Sequence, residues 1–142
     1  MPKNWYLEFK KQNLNTKVIY FSINYDGFFK FHPKHKDDQY VLNLFNKDQE
    51  SDKGIGQKAV GKNCSQIINK LFSKSHKTFV FDSSWDVSKN KKFQNMFLDF
   101  CENVLEKNKI LLDRWLDFRR QNIKKNKSKL FLRNKDFLAL KL

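Results

Sequence analysis

The sequence predicts an α+β fold: a small, mostly antiparallel sheet packed on a long helix in the C-terminal half. Three observations carry this. A β-branched and aromatic run with a turn signal occupies residues 17–33. Apolar residues recur at helical spacing over about 89–122. Strand-like runs come first, helical runs are interleaved after them, and no Gly/Pro-rich linker divides the chain. The 142 residues are read as one domain, 1–142, with a basic C-terminal segment over about 119–142.

Trp5 to Phe9 is read as a short strand. Val18-Ile19-Tyr20-Phe21-Ser22-Ile23 and Phe28-Phe29-Lys30-Phe31 flank Asn24-Tyr25-Asp26-Gly27, the pattern of a β-hairpin. A two-residue Asp-Gly loop scatters the apolar side chains. A loop of Tyr25, Asp26 and Gly27, with Gly27 in a left-handed bulge, sets Ile23 opposite Phe29, Phe21 opposite Phe31 and Ile19 opposite Pro33. That register gathers them on one face, so the bulged hairpin is expected. Its outer face then carries Tyr20, Phe28, Lys30 and His32. Tyr40 to Phe45 is read as a third strand, and 46–63 as a charged, glycine-bearing loop. Ser65 to Lys74 reads as a helix with Ile67, Ile68, Leu71 and Phe72 on one side, and Thr78-Phe79-Val80-Phe81 as a buried strand. Ser88 is placed to cap the next helix. In that helix Phe93, Met96, Phe97, Phe100, Val104, Leu111, Trp115 and Phe118 follow helical spacing, with slackening near Lys107-Asn108-Lys109. Leu130-Phe131-Leu132 and Phe137 to Leu142 read as a terminal hairpin or a last helix.

Apolar residues make up 39% of the chain, but 15 are Phe, and large rings build a core from few positions. The first fifteen residues lack the apolar segment of a secretory signal, and no apolar run approaches the ~18 residues of a membrane span. A cytoplasmic location is expected. Cys64 and Cys101 fit no metal spacing and fall in helical apolar patterns, so both are expected as buried thiols. No metal or other cofactor is implied.

The net charge is +14, carried by 25 Lys and 4 Arg. Residues 107–142 hold a net of +9, with Arg114, Arg119, Arg120, Lys124, Lys125, Lys127 and Lys129 as the densest run. On a continuing helix Arg120, Lys124 and Lys127 share one side and would neutralise phosphates with counterion release. With Tyr20, Phe28 and Lys30 on the hairpin's outer face, this predicts a non-enzymatic nucleic-acid-binding protein. Scarce Arg argues against bidentate reading of base edges, so recognition is expected to be phosphate-led and weakly sequence-selective, with RNA or single-stranded DNA favoured. The alternative is an inhibitor of an acidic protein, such as a toxin-neutralising immunity protein or a phage-encoded inhibitor. Trp85, Trp115, Tyr25 or Tyr40 would be its anchors if exposed. A metal-independent ribonuclease using His32, His35 and His76 stands third.

Gly54-Ile-Gly-Gln-Lys-Ala-Val-Gly61-Lys62-Asn63 approaches a phosphate-cradling loop. Asn63 stands where a Ser or Thr hydroxyl is needed, and no strand leads in. It is read as a surface loop, with Lys58 and Lys62 beside a helix start as a weak anion site.

Overall fold

A computed structural model describes all of residues 1–142. In chain order the elements are α1 (Lys3–Gln12), β1 (Val18–Ile23), β2 (Phe29–His32), α2 (Asp38–Gln49), α3 (Cys64–Phe72), β3 (His76–Asp82), β4 (Trp85–Asp86), α4 (Lys91–Lys107), α5 (Asp113–Lys124), β5 (Lys129–Leu132) and β6 (Lys135–Lys141). They form an α+β protein with two antiparallel three-stranded sheets, ordered β1-β6-β3 and β2-β5-β4. The chain builds two compact units. One comprises Met1–Gly27, Gln49–Ser84 and Arg133–Leu142; the other comprises Phe28–Asp48 and Trp85–Leu132.

In the first unit β6 is the central strand. It sets Ile19 opposite Ala139 and Phe21 opposite Phe137. Ile19, Ile23, Phe137 and Ala139 pack with Tyr6 of α1 and with Ile68 and Phe72 of α3 in one core. In the second unit β5 is central, pairing Leu132 with Phe29 and Leu130 with Phe31. Phe29 meets Phe97 edge-on at 5.0 Å and Phe45 at 5.5 Å, and Phe31 meets Trp115 at 6.1 Å. Such edge-to-face pairs let few residues fill a core.

The expected 17–33 hairpin does not form. β1 and β2 lie in different sheets, and so do β5 and β6, which excludes a terminal hairpin as well. The turn residues are engaged elsewhere. Asp26 is buried and donates its amide to Arg133 O; the Tyr25 amide donates to Asn134 Oδ1. Gly27 has φ +77°, and a Cβ there would come within 2.6 Å of Lys62 Cβ. The apolar alternation that suggested the hairpin register is satisfied equally well by β6 and β5, which local sequence cannot distinguish.

Two short segments read as strands are helices. Tyr40 to Phe45 belongs to α2, where Val41, Leu42 and Phe45 are buried at helical spacing. Trp5 to Phe9 belongs to α1, which buries Tyr6. The expected long helix is present as α4 and α5, broken at 108–112, where Lys109 adopts φ 56° and Asn108 Nδ2 donates to Val104 O. The cap of α4 is Asn90, whose side chain accepts the Phe93 amide. Ser88 instead donates its amide and hydroxyl to Asp86, and Ser84 does the same to Asp82, so 82–88 is a pair of side-chain-closed turns.

Both cysteines are free and buried, and burial raises both thiol pKa values. Unfolded thiols ionise near pH ~8.5 whereas Cys101 in the fold stays protonated, so the unfolded state loses protons that the folded state keeps. Stability is therefore expected to be full below that pH and to decline as pH rises above it. Urea midpoints at pH 7.5 and 9.5 check this. A decline that persists undiminished in Cys101→Ala would refute the assignment to this thiol.

Candidate nucleic-acid interface

Each sheet buries one face and leaves the other open. In the first unit, strand alternation turns Ile19, Phe21 and Ile23 inward and Val18, Tyr20 and Ser22 outward. The pairing then lays three rows across the open face: Val18–Leu140–Lys77, Tyr20–Leu138–Phe79 and Ser22–Asp136–Phe81. Tyr20 is 58% exposed and Phe81 50%. The Phe79 and Phe81 rings stand 6.2 Å apart and within 9° of parallel, and Lys77 Nζ lies 5.5 Å from the Phe79 centroid. β3 is an edge strand, so this line of a cation and two rings borders open space on one side. The neighbouring Asp136 carboxylate raises the Tyr20 pKa above its ordinary value.

In the second unit Phe29, Phe31, Leu130 and Leu132 face inward, and Lys30, His32, Lys129 and Phe131 share the open face. Lys30 sits opposite Phe131 and His32 opposite Lys129. Lys30 and Lys129, singled out from separate parts of the sequence, are thus brought together with an exposed ring. Phe28 precedes β2 and is half-buried, while Tyr20 belongs to the other unit, so the expected hairpin face of Tyr20, Phe28 and Lys30 is replaced by these two sheet faces.

The basic run at 114–129 is divided. Arg119 is 0% exposed and belongs to the core, which removes it from any surface site. Its guanidinium donates to Pro33 O at 2.6 Å and to Asp38 Oδ1, and stacks near Phe31 at 4.9 Å and Phe118 at 5.1 Å. Burial lowers its pKa, and the Asp38 carboxylate opposes that shift. Trp115 is likewise buried and donates Nε1–H to Asp38 at 2.8 Å, so it is no surface anchor. Arg120 is paired with Glu102. Arg114 is exposed at the start of α5, about 15 Å along the helix from Lys124. α5 stops at Lys124, and Asn126 turns at φ 58°, so Lys127 does not continue an Arg120–Lys124 stripe. Lys124, Lys125, Lys127 and Lys129 remain exposed. Charge is shared evenly: each unit carries a net +7, from thirteen basic and six acidic residues in the first and sixteen and nine in the second.

The glycine-bearing loop lies at the surface. It is held by bridges between Pro2 and Ala59 and between Asp52 and Lys58, and Asp52 accepts the amides of Gly54 and Ile55. Gly61 has φ +54°, and a Cβ there would strike Glu50, so a side chain at this position would strain the fold irrespective of any ligand. The start of α3 already has its anion. Asp26 accepts the Ser65 amide at 3.2 Å and hydroxyl at 2.8 Å, which displaces the weak anion site expected at Lys58 and Lys62; both lysines are exposed. Asp26→Asn is expected to cost about 2 kcal/mol in urea unfolding, the scale of a buried charged hydrogen bond. Ser65→Ala tests the same pair, and a variant as stable as the parent would contradict this role.

His76 is buried, with Ser75 Oγ 2.9 Å from Nδ1 and Thr16 O 3.3 Å from Nε2. It is a core residue with both ring nitrogens engaged and cannot meet a substrate with His32 and His35. No group of three or more His, Cys, Asp or Glu side chains comes together, and no helix is long and apolar enough to cross a membrane.

Phe79, Phe81 and Lys77 were not identified as site residues from sequence. An unbroken apolar run reads as buried on both faces. The usable signal was the spacing of two from Lys77 to Phe79 to Phe81. No protein-family model matches the chain, and no curated protein matches it significantly.

Proposed function

We propose that this protein binds single-stranded nucleic acid, RNA or DNA, on the open face of the β1-β6-β3 sheet, without catalysing a reaction on it. The observation that carries the reading is the alignment of Lys77, Phe79, Phe81 and Tyr20 on one uncovered sheet face. Bases stack on exposed rings whatever their identity, and lysines neutralise the phosphates between them. The second sheet's Lys30, Lys129 and Phe131 supply the same chemistry on a smaller scale, and Lys124, Lys125 and Lys127 add diffuse attraction for a polyanion. With base contacts made by ring faces, binding is weakly selective for sequence.

The test is anisotropy titration of labelled single-stranded and duplex oligonucleotides at several salt concentrations. Tighter binding to single strands, with log K falling linearly in log salt, is expected. Equal affinity for duplex, or none for either, would defeat the reading.

A second reading is favoured by Val18 and the flanking Leu138 and Leu140. These apolar side chains among the rings fit a protein surface as well as a base, and Trp85 and Tyr40 are exposed as anchors. Under that reading the +14 charge steers the chain onto an acidic protein, whose activity it blocks. Absence of oligonucleotide binding would direct attention there.

A further inference from the structure

The outward backbone of the edge strand β3 can be assigned from the ladders beside it. The Lys141 amide donates to Lys17 O at 2.9 Å, which makes Lys17 and Lys141 a hydrogen-bonded pair of the β1–β6 ladder. An antiparallel strand alternates its bonding side at every residue. The odd residues of β6 therefore bond β1, and its even residues, Leu140, Leu138 and Asp136, bond β3. Their partners are Lys77, Phe79 and Phe81. The Ser83 amide donates to Asn134 O at 3.2 Å and continues the same alternation. The amides and carbonyls of Thr78 and Val80 thus point away from the sheet, where no strand pairs with them.

This edge carries none of the usual devices against pairing, since residues 78–81 hold no Pro, Gly or charge. Phe81 is half-exposed on the open face. Val80 is 42% exposed although alternation turns it towards the other face, so the end of β3 is uncovered on both sides. The strand is also complementary to itself. Two antiparallel copies related by a two-fold axis at Phe79 set Phe79 opposite Phe79, Lys77 opposite Phe81 and Thr78 opposite Val80. A shift by one residue would join the open face of one copy to the covered face of the other. A shift by two sets either Lys77 opposite Ser83 or Phe81 opposite Ser75 and loses the match of cation to ring.

We propose that a second copy of this chain pairs with this edge, β3 against β3 and centred on Phe79, in a two-fold dimer with one continuous six-stranded sheet. Thr78 and Val80 exchange both backbone hydrogen bonds with Val80 and Thr78 of the second copy. Lys77, Phe79 and Phe81 then occupy the non-hydrogen-bonded positions, where opposite side chains approach most closely. The Phe79 rings meet at the axis, and each Lys77 ammonium, already near Phe79, gains the exposed Phe81 ring of the other copy. The two Lys77 positions lie about 14 Å apart along the ladder, beyond the ~8 Å screening length at physiological salt. The contact uses the same patch on both copies, so it closes at two. It is made by strand edges alone and does not depend on nucleic-acid binding. If the open face does bind single strands, the rows of both copies form one longer platform.

The test is sedimentation equilibrium of the full chain over a range of protein concentrations, with amide hydrogen exchange in parallel. A rise to twice the 17.2 kDa chain mass is expected. Added salt should strengthen the dimer by screening two chains of +14, whereas it weakens oligonucleotide binding, so the two readings fail separately. The Thr78 and Val80 amides should gain protection as concentration rises, while those of Phe79 and Phe81, bonded to β6, are protected at every concentration. Exchange uses the unaltered chain, so it decides the matter even where a variant fails to fold. Val80→Pro removes an outward amide without touching the β6 ladder and should weaken the dimer at least about tenfold. Phe79→Lys sets two ammonium groups opposite each other and Phe79→Glu two carboxylates; each should be monomeric, and an equimolar mixture of the two should dimerise again. A chain that stays monomeric up to about 0.5 mM overturns the proposal, because even a weak interface is partly occupied there. Thr78 and Val80 protection independent of concentration, a dimer that survives both Val80→Pro and Phe79→Lys, or a Lys/Glu mixture that stays monomeric overturns it as well.

Discussion

Arg119→Ala is expected to lower the unfolding free energy by about 3 kcal/mol, read as a fall in urea midpoint with unchanged slope. The guanidinium is enclosed by Phe31, Trp115 and Phe118, and it joins Pro33 O to the Asp38 carboxylate. Truncation removes the packing of the aliphatic stem, opens a cavity beside Trp115 and strips Asp38 of its counter-charge. Asp38 also accepts Trp115 Nε1–H and the His35 amide, so the loss reaches the start of α2. Arg119→Lys should recover only part of the stability, since one ammonium cannot reproduce the planar fork that spans both acceptors. Affinity of the folded fraction for single strands should be unchanged, because the side chain has no surface to present. A variant as stable as the parent would contradict the structural role, and a selective loss of affinity at full stability would return Arg119 to the binding surface.

Phe79→Ala/Phe81→Ala is expected to weaken single-strand binding about a hundredfold or more, since each stacked base contributes ~1–3 kcal/mol. Stability should fall little, because Phe81 is 50% exposed and Phe79 borders the open edge of β3. Lys77→Ala should instead lower affinity uniformly across sequences and reduce the salt slope by about one. The contrast matters: ring removal changes the intercept, and cation removal changes the slope. Retained affinity in the double variant, with circular dichroism showing an intact fold, would remove the sheet face from the proposed function.

Several features were legible in the chain because they depend on neighbours in sequence. The fold class is one. The 3.6-residue spacing of Phe93, Phe97, Val104, Trp115 and Phe118 marked one long helix with slackening near Lys107-Asn108-Lys109, where the structure divides it into α4 and α5. Cys64 and Cys101 were legible as buried thiols from the helices that hold them. The charge of +14, the excess of Lys over Arg and the poor match of 56–63 to a phosphate loop follow from composition and spacing alone.

Tertiary structure decided the partners. β1 carries apolar residues on both faces, so its pattern accepts β2 or β6 with equal comfort, and only the packing of α1 and α3 selects which face is buried. Asp26-Gly27 has the chemistry of a hairpin turn, yet Asp26 serves Ser65 and Gly27 leaves room for Lys62, contacts separated by about forty residues that no local rule registers. Arg119 and Arg120 are adjacent and chemically identical. One lies in the core and the other pairs with Glu102 at the surface, because successive residues on a helix point about 100° apart. Composition and period thus determined which elements form and the charge they carry. Which faces remain open, and therefore which rings and lysines can meet a ligand, depended on contacts between residues far apart in the chain.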